Sequence, residues 1–164
     1  MKQLIAGLAL GSVLITGCAG MNASADGEMV PVSQLQAAVH CGREQADPAL
    51  HYLDDSAGMA WARQRIGARP ADPVPELDPA ADAALLLEMG LKPTGGYGLQ
   101  LAEPRAALAD GVLRLKVNWR TPEPDRLLTQ ALTSPCLLIK LPRGDYRAIE
   151  VLDQHGALRA RLAP

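Results

Sequence analysis

Ten residues past the middle of the chain, GVLRLKVNWR (111–120), alternate almost without interruption. Leu113, Leu115, Val117 and Trp119 fall on one side of an extended backbone, and Arg114, Lys116, Asn118 and Arg120 on the other. Only the two-residue period of a β-strand separates them so cleanly. A strand with one apolar and one charged face belongs to an antiparallel sheet that covers a core on one side. The segments that follow obey the same rule. CLLIKLP (136–142) is a fuller apolar run closed by Pro142, and Arg143-Gly144-Asp145 supplies turn residues. YRAIEVLD then alternates through Ile149 and Val151, and ALRARL follows a second turn around Gln154-His155-Gly156. Short strands at this spacing predict a mainly β fold, a small antiparallel β-sandwich or partly open barrel with one or two short helices. Phenylalanine is absent and aromatic residues make up 3 % of the chain, so Leu, Val, Ile, Met and Ala must build the core.

Upstream the signals are mixed. VPVSQLQAAV (30–39) alternates roughly, and Pro31 confines a strand there to its start or to a sheet edge. HYLDDSAGMAWARQRIG (51–67) reads as helical: Asp55 or Ser56 can cap, Met59, Ala62 and Ile66 share a face, and Gly67 offers a stop. Trp61 and Arg65, four apart, can stack. Prolines at 70, 73, 75 and 79 exclude regular structure from the connection that follows. DPAADAALLLEMGL (78–91) carries two opposed signals. Asp78 before Pro79, an alanine-rich run and Gly90 make a helix by local rules. Leu85, Leu87 and Met89 also alternate with Ala84, Leu86 and Glu88, as in a buried strand.

The N-terminus, MKQLIAGLALGSVLITGCAG, has a charged Lys2 and an apolar run from Leu4 to Ile15, the make-up of a secretory signal and too short to span a bilayer. It ends in Ile15-Thr16-Gly17-Cys18, which resembles the lipobox of bacterial lipoproteins. That resemblance implies a signal peptide over 1–17 and acyl chains on Cys18, and two chains suffice for stable membrane attachment. Ala19 after the cysteine, where inner-membrane lipoproteins usually carry aspartate, implies sorting to the outer membrane with the protein facing the periplasm. Residues 18–29 read as a flexible tether and 30–164 as one β-rich domain. Removing 1–17 takes away Lys2 and no anion, which moves the formal charge from −2 to −3. With no basic stripe either, nucleic acid is not an expected partner.

Catalytic arrangements are missing from the sequence. The three histidines, His40, His51 and His155, lie in unrelated contexts. No Gly-x-Ser-x-Gly, His-Glu-x-x-His or Cys-x-x-Cys occurs, and His40, Cys41 and His51 match no standard zinc spacing. We therefore expect no enzyme, no metal and no cofactor. Cys41 and Cys136 either form a bridge, which an oxidising periplasm permits, or remain two separately buried thiols.

One pair of segments carries a more specific signal. GLKPTGGYGLQL (90–101), followed by TPEPDRLLTQALTSPCLLIKLP (121–142), resembles the C-terminal domain of the protease complex subunit PrcB family. Lys92, Pro93, Thr94, Gly95, Gly96 and Tyr97 match its first block, and Thr129, Gln130, Ala131, Thr133 and Pro135 its second. The resemblance extends over 83–152. TPEPDRLL is poorer in glycine than the family's loop, and Cys136 stands where an aromatic is common. The resemblance implies a strand rather than a helix at 79–89, and we follow it there. It also implies an accessory or chaperone-like subunit whose partner is a protease or another envelope protein. Pro93 fixes φ, while Gly95, Gly96 and Gly98 allow positive φ or close backbone approach. Lys92 to Tyr97 is thus a candidate partner surface and Thr129, Gln130, Thr133 and Pro135 a structural loop beside it, with Gln130 and Thr133 able to satisfy loop amides. Tyr97 reads either as a partner contact or as a corner residue packed on its own glycines with its hydroxyl on backbone. KPTGGY is also loosely similar to the Pro-Thr-x-Gly-Tyr loop of chagasin-like cysteine protease inhibitors, and the alternative reading is an inhibitor module of that kind.

Overall fold

The computed structural model describes residues 27–69, 73–125 and 127–164. In chain order these form β1 (Glu28–Pro31), β2 (Ser33–Ala38), β3 (Ala49–Leu53), α1 (Ser56–Arg65), β4 (Asp82–Glu88) and β5 (Gly98–Leu101). There follow β6 (Arg105–Ala109), β7 (Val112–Arg120), β8 (Cys136–Pro142), β9 (Ala148–Leu152) and β10 (Leu158–Leu162). The strands make a sandwich of two sheets, with no closed barrel. One sheet runs β1-β6-β7-β9-β10, with β5 also paired to β7, and the other runs β2-β8-β4-β3. Among the described residues no helix is long and apolar enough to cross a membrane.

The expectation of a wholly antiparallel fold needs one correction: β7 and β9 run parallel. After β7 the chain crosses to the other sheet as β8 and returns as β9 in the direction of β7, which a direct hairpin could not do. Between β6 and β7 the link is tighter. Ala109 pairs with Val112 across a two-residue turn in which Asp110 (φ 50°) and Gly111 (φ 72°) are both left-handed, the conformation an Asp-Gly hairpin favours.

β7 shows the predicted alternation: Leu113, Leu115, Val117 and Trp119 are buried while Arg114, Lys116, Asn118 and Arg120 are exposed. The 79–91 segment contains a strand, against its local helical signals and in line with the family resemblance. β4 lies between β8 and β3, and both of its faces are covered. Leu85 and Leu87 join the cluster between the sheets; Ala84 and Leu86 face a second cluster with Met59 and Ala62 of α1 and Ile66 at its C-cap. A strand buried on both sides has no polar face to show, so its sequence cannot be told from a helix by periodicity. Val74 and Leu77 of the proline-rich connection pack on the same outer cluster, making that connection an ordered strap where it is described.

Elsewhere the boundaries shift. The 30–39 run divides at Val32, whose N–H donates to the Pro104 carbonyl at 3.0 Å as the chain passes from one sheet to the other. Pro31 ends β1, an edge strand, as its missing N–H requires. Glu28 and Met29, assigned from sequence to the tether, pair with Leu108 and Ala107 and belong to β1. His51 to Leu53 belong to β3, so the helix read from 51 begins only at Ser56, where Asp55 caps it by accepting from Gly58 N at 2.6 Å. Met59, Ala62 and Ile66 form its buried face.

Cys41 and Cys136 are bonded, with their Cα atoms 6.1 Å apart, which settles the open alternative in favour of the bridge. It ties the start of β8 to the segment after β2.

Candidate functional site: two interlocked loops

Two long connections leave the same end of the sandwich, one from β4 to β5 (89–97) and one from β7 to β8 (121–135). They share a short ladder. Lys92 and Thr133 exchange backbone hydrogen bonds at 2.7 and 2.9 Å, and Gly95 N donates to Thr129 O at 3.0 Å. The Thr133 hydroxyl donates to Thr94 O at 2.9 Å, and Thr94 Oγ1 to Gly95 O at 3.1 Å. Met89 N donates to Pro135 O at 2.8 Å, joining the loops at their base. The two blocks that carry the resemblance are therefore one structure. Thr133 does as expected, with backbone and hydroxyl both engaged. Gln130 does not: its side chain is exposed and reaches only Leu128 O of its own loop, at 3.4 Å.

Two glycines are required by the geometry. Gly90 has φ +88°, and a Cβ there would stand 2.1 Å from Ala46 O. Gly96 has φ +89°, with Pro122 and Leu128 against it at 3.0 and 3.2 Å from the place of a Cβ. Tyr97 is half-buried and packs against the main core, so the ring is partly architectural. Its hydroxyl makes no hydrogen bond among the described residues, which corrects the expectation of a backbone partner. Lys92 is also partly spoken for, since its Nζ reaches Ala46 O at 3.3 Å. Pro93 and Gly96 are exposed.

Sequence reasoning missed what stands out on these loops. Leu127 is 105 % exposed and Leu132 64 %, aliphatic side chains in water, Leu132 on backbone held on both sides by the Thr129 and Thr133 hydrogen bonds. It also missed what braces the end of the sandwich below them. Glu88 closes β4 and is 1 % exposed, with Oε1 accepting from Arg65 Nε and Nη2 at 3.1 and 2.9 Å. Oε2 lies 3.1 Å from His51 Nε2 and 3.5 Å from Arg43 Nη1. Trp61 packs on His51 and Arg65: its ring meets that of His51 edge-on, 4.9 Å between centroids, and the Arg65 guanidinium lies over it at 5.5 Å. A charge ending an otherwise apolar strand run was the available signal. Cys18 lies outside the described residues.

A family model described as PrcB C-terminal matches residues 84–142. Over this segment the chain is similar to the PrcB C-terminal domain. The PrcB segment opens in β4, contains both interlocked loops and ends with β8, so β9 and the helix α1 lie outside it, and the match is shorter than the 83–152 read from the sequence. No curated protein and no solved structure matches the chain.

Proposed function

We propose that the chain is a non-enzymatic, lipid-anchored periplasmic subunit that binds a protease or another envelope protein through the interlocked loops. The observation that carries this reading is the pair Leu127 and Leu132, exposed aliphatic side chains on loops stapled to each other and to the core. Ordering such side chains in water brings no folding benefit, whereas a partner that covers them gains apolar burial without paying to order the loop.

Placement supports it. Glu28 pairs with Leu108, Leu108 with Leu113, and Gly98 with Arg120. The chain thus enters the sandwich about seven residues of β7, roughly 23 Å, from the level of the loops. A domain tethered through Cys18 would present the loops on the side away from its anchor. Sorting to the outer membrane, with the protein facing the periplasm, belongs to the same proposal.

The test is crosslinking and pull-down from intact envelopes with a Leu127→Ser/Leu132→Ser variant. Both side chains are exposed, so the melting temperature should hold while the specific partner is lost. A partner captured equally by variant and wild type ends the reading. The anchor is tested separately: Cys18→Ser should leave an unacylated precursor, and normal maturation with membrane retention would refute lipidation.

A further inference from the structure

We propose that Arg120 is the charge-reading centre of this surface, and that the partner segment it takes is acidic: an aspartate or glutamate side chain next to an apolar residue in an extended stretch of polypeptide. The inference rests on the loops being a protein-binding surface and adds what chemistry they select.

The wet face of β7 presents three cations, two of which are neutralised within the protein. Arg114 Nε holds Glu150 at 2.9 Å, and Lys116 holds Glu103 at 2.9 Å. Even Arg161, on the neighbouring edge, reaches Glu150 at 3.3 Å. Arg120, the last of the row, is exposed, and its side chain makes no ion pair or hydrogen bond among the described residues. Glu123, the anion of the adjoining loop, is itself engaged.

Arg120 is nonetheless positioned. It pairs with Gly98 across β5 and β7, and its guanidinium lies over that glycine. A Cβ at Gly98 would stand 2.8 Å from Nη2 and 3.3 Å from both Cζ and Nε. The glycine is the bed on which the planar group rests, so part of the entropy of holding an arginine in place is already spent. Arg120 shares a depression of about 300 Å³ with Gly96, Thr121, Pro122, Glu123, Leu127 and Leu128; Glu123 in that lining is already engaged. A pre-oriented guanidinium without a partner among the described residues, in a depression where Pro122, Leu127 and Leu128 supply apolar walls and Glu123 is engaged elsewhere, fits a carboxylate with an aliphatic neighbour. The walls lower the local dielectric, which strengthens the charge-assisted hydrogen bonds.

The probe is a short, end-blocked peptide alternating glutamate with leucine, titrated into the full chain while the Arg120 Nε–H and the Leu127 and Leu128 methyl resonances are followed. Saturable shifts of all three are expected, with about tenfold weaker binding in Arg120→Gln. Gly98→Ala, which displaces the guanidinium without deleting it, should weaken binding too. The glutamine-for-glutamate peptide should not bind. Equal binding of that peptide, or equal affinity in Arg120→Gln, overturns the proposal. So does a peptide that binds only when its C-terminus is unblocked, since the occupant would then be a chain end. Peptide binding lost in Leu127→Ser but retained in Arg120→Gln would leave the protein-binding surface standing and remove its acidic preference. Binding indifferent to both changes would remove both.

Discussion

Replacing Arg65 with methionine tests whether the end of the sandwich beneath the loops depends on one buried carboxylate. Glu88 is 1 % exposed, and Arg65 supplies both hydrogen bonds to its Oε1, at 3.1 and 2.9 Å. Methionine keeps much of the aliphatic stem against Trp61 and deletes both donors. Breaking a buried pair by removing one partner costs about 3–5 kcal/mol. Arg43 and His51 still serve Oε2, at 3.5 and 3.1 Å, and compensate part of the charge, so the cost falls below that range, to about 2–3 kcal/mol. Loss of the arginine from the face of Trp61, 5.5 Å away, adds about 0.5–1 kcal/mol. A total near 3 kcal/mol is a large share of the roughly 5–15 kcal/mol that holds a domain together.

Urea unfolding at neutral pH reads this as a shift in midpoint at constant slope. The double variant Arg65→Met/Glu88→Leu separates the causes. A network replaced whole by apolar side chains leaves no unpaired charge, so the double variant should recover most of the loss. A loss below about 0.5 kcal/mol in Arg65→Met, within the range of surface changes, would refute the argument. A double variant no better than the single would place the cost in Trp61 packing and not in the buried charge.

The Cys41–Cys136 bridge closes a loop of 95 positions, so its reduction should cost about 4–5 kcal/mol, seen as a lower urea midpoint with reductant; two alkylatable thiols in the unreduced protein would contradict the bond. Gly90→Ala should lose about 3 kcal/mol or more, because the residue is left-handed and faces Ala46 O, and a wild-type melting temperature would disprove that. Burial pushes the Asp153 carboxyl up, but the Ala157 and His155 N–H groups and Arg159 outweigh it and hold its pKa below the ordinary value. Its stabilisation is therefore complete above about pH 4 and fades as pH falls through the lowered folded value, so Asp153→Asn should flatten the acid limb of the stability curve. Tyr146 has its pKa pushed up from 10.0 to about 12 by burial, then by Tyr52 and Glu28. Its contribution holds below pH 10 and is lost as pH rises toward 12, so an ultraviolet titration should show a tyrosine step near 12 that Tyr146→Phe removes, and Tyr146→Phe should resist alkali better.

How far the fold was legible follows from how many faces each element shows to water. β7 and β9 have one wet face, and their alternation identified them. α1 was legible from its cap, its Met59-Ala62-Ile66 stripe and its stop. β4 was not, because α1 covers the face that would have carried polar residues, and only resemblance placed it correctly. The parallel β7–β9 pair was out of reach for a related reason: pairing direction depends on where β8 crosses, and no local residue records that. The bridge was undecidable because nothing in a sequence states the distance between two cysteines.

The site divided in the same way. The residues that carry the PrcB resemblance turned out to be largely those that lock the loops together: Lys92 and Thr133 through backbone, Thr133 and Thr94 through the hydroxyl, Gly95 against Thr129. They build a platform, and a platform leaves a pattern because each member needs a particular backbone or donor. Leu127 and Arg120 lie between the two blocks and need nothing from the fold except a position, so no local rule points to them. Arg120 in particular looked like one more charge on a solvated strand face. What sets it apart is a pairing with Gly98 twenty-two positions away and the absence, among the described residues, of the acidic partner that Arg114 and Lys116 each have. The presenting residues can therefore change with little effect on stability, while the locking residues cannot, and under the proposed function it is the presenting residues that would decide what the loops recognise.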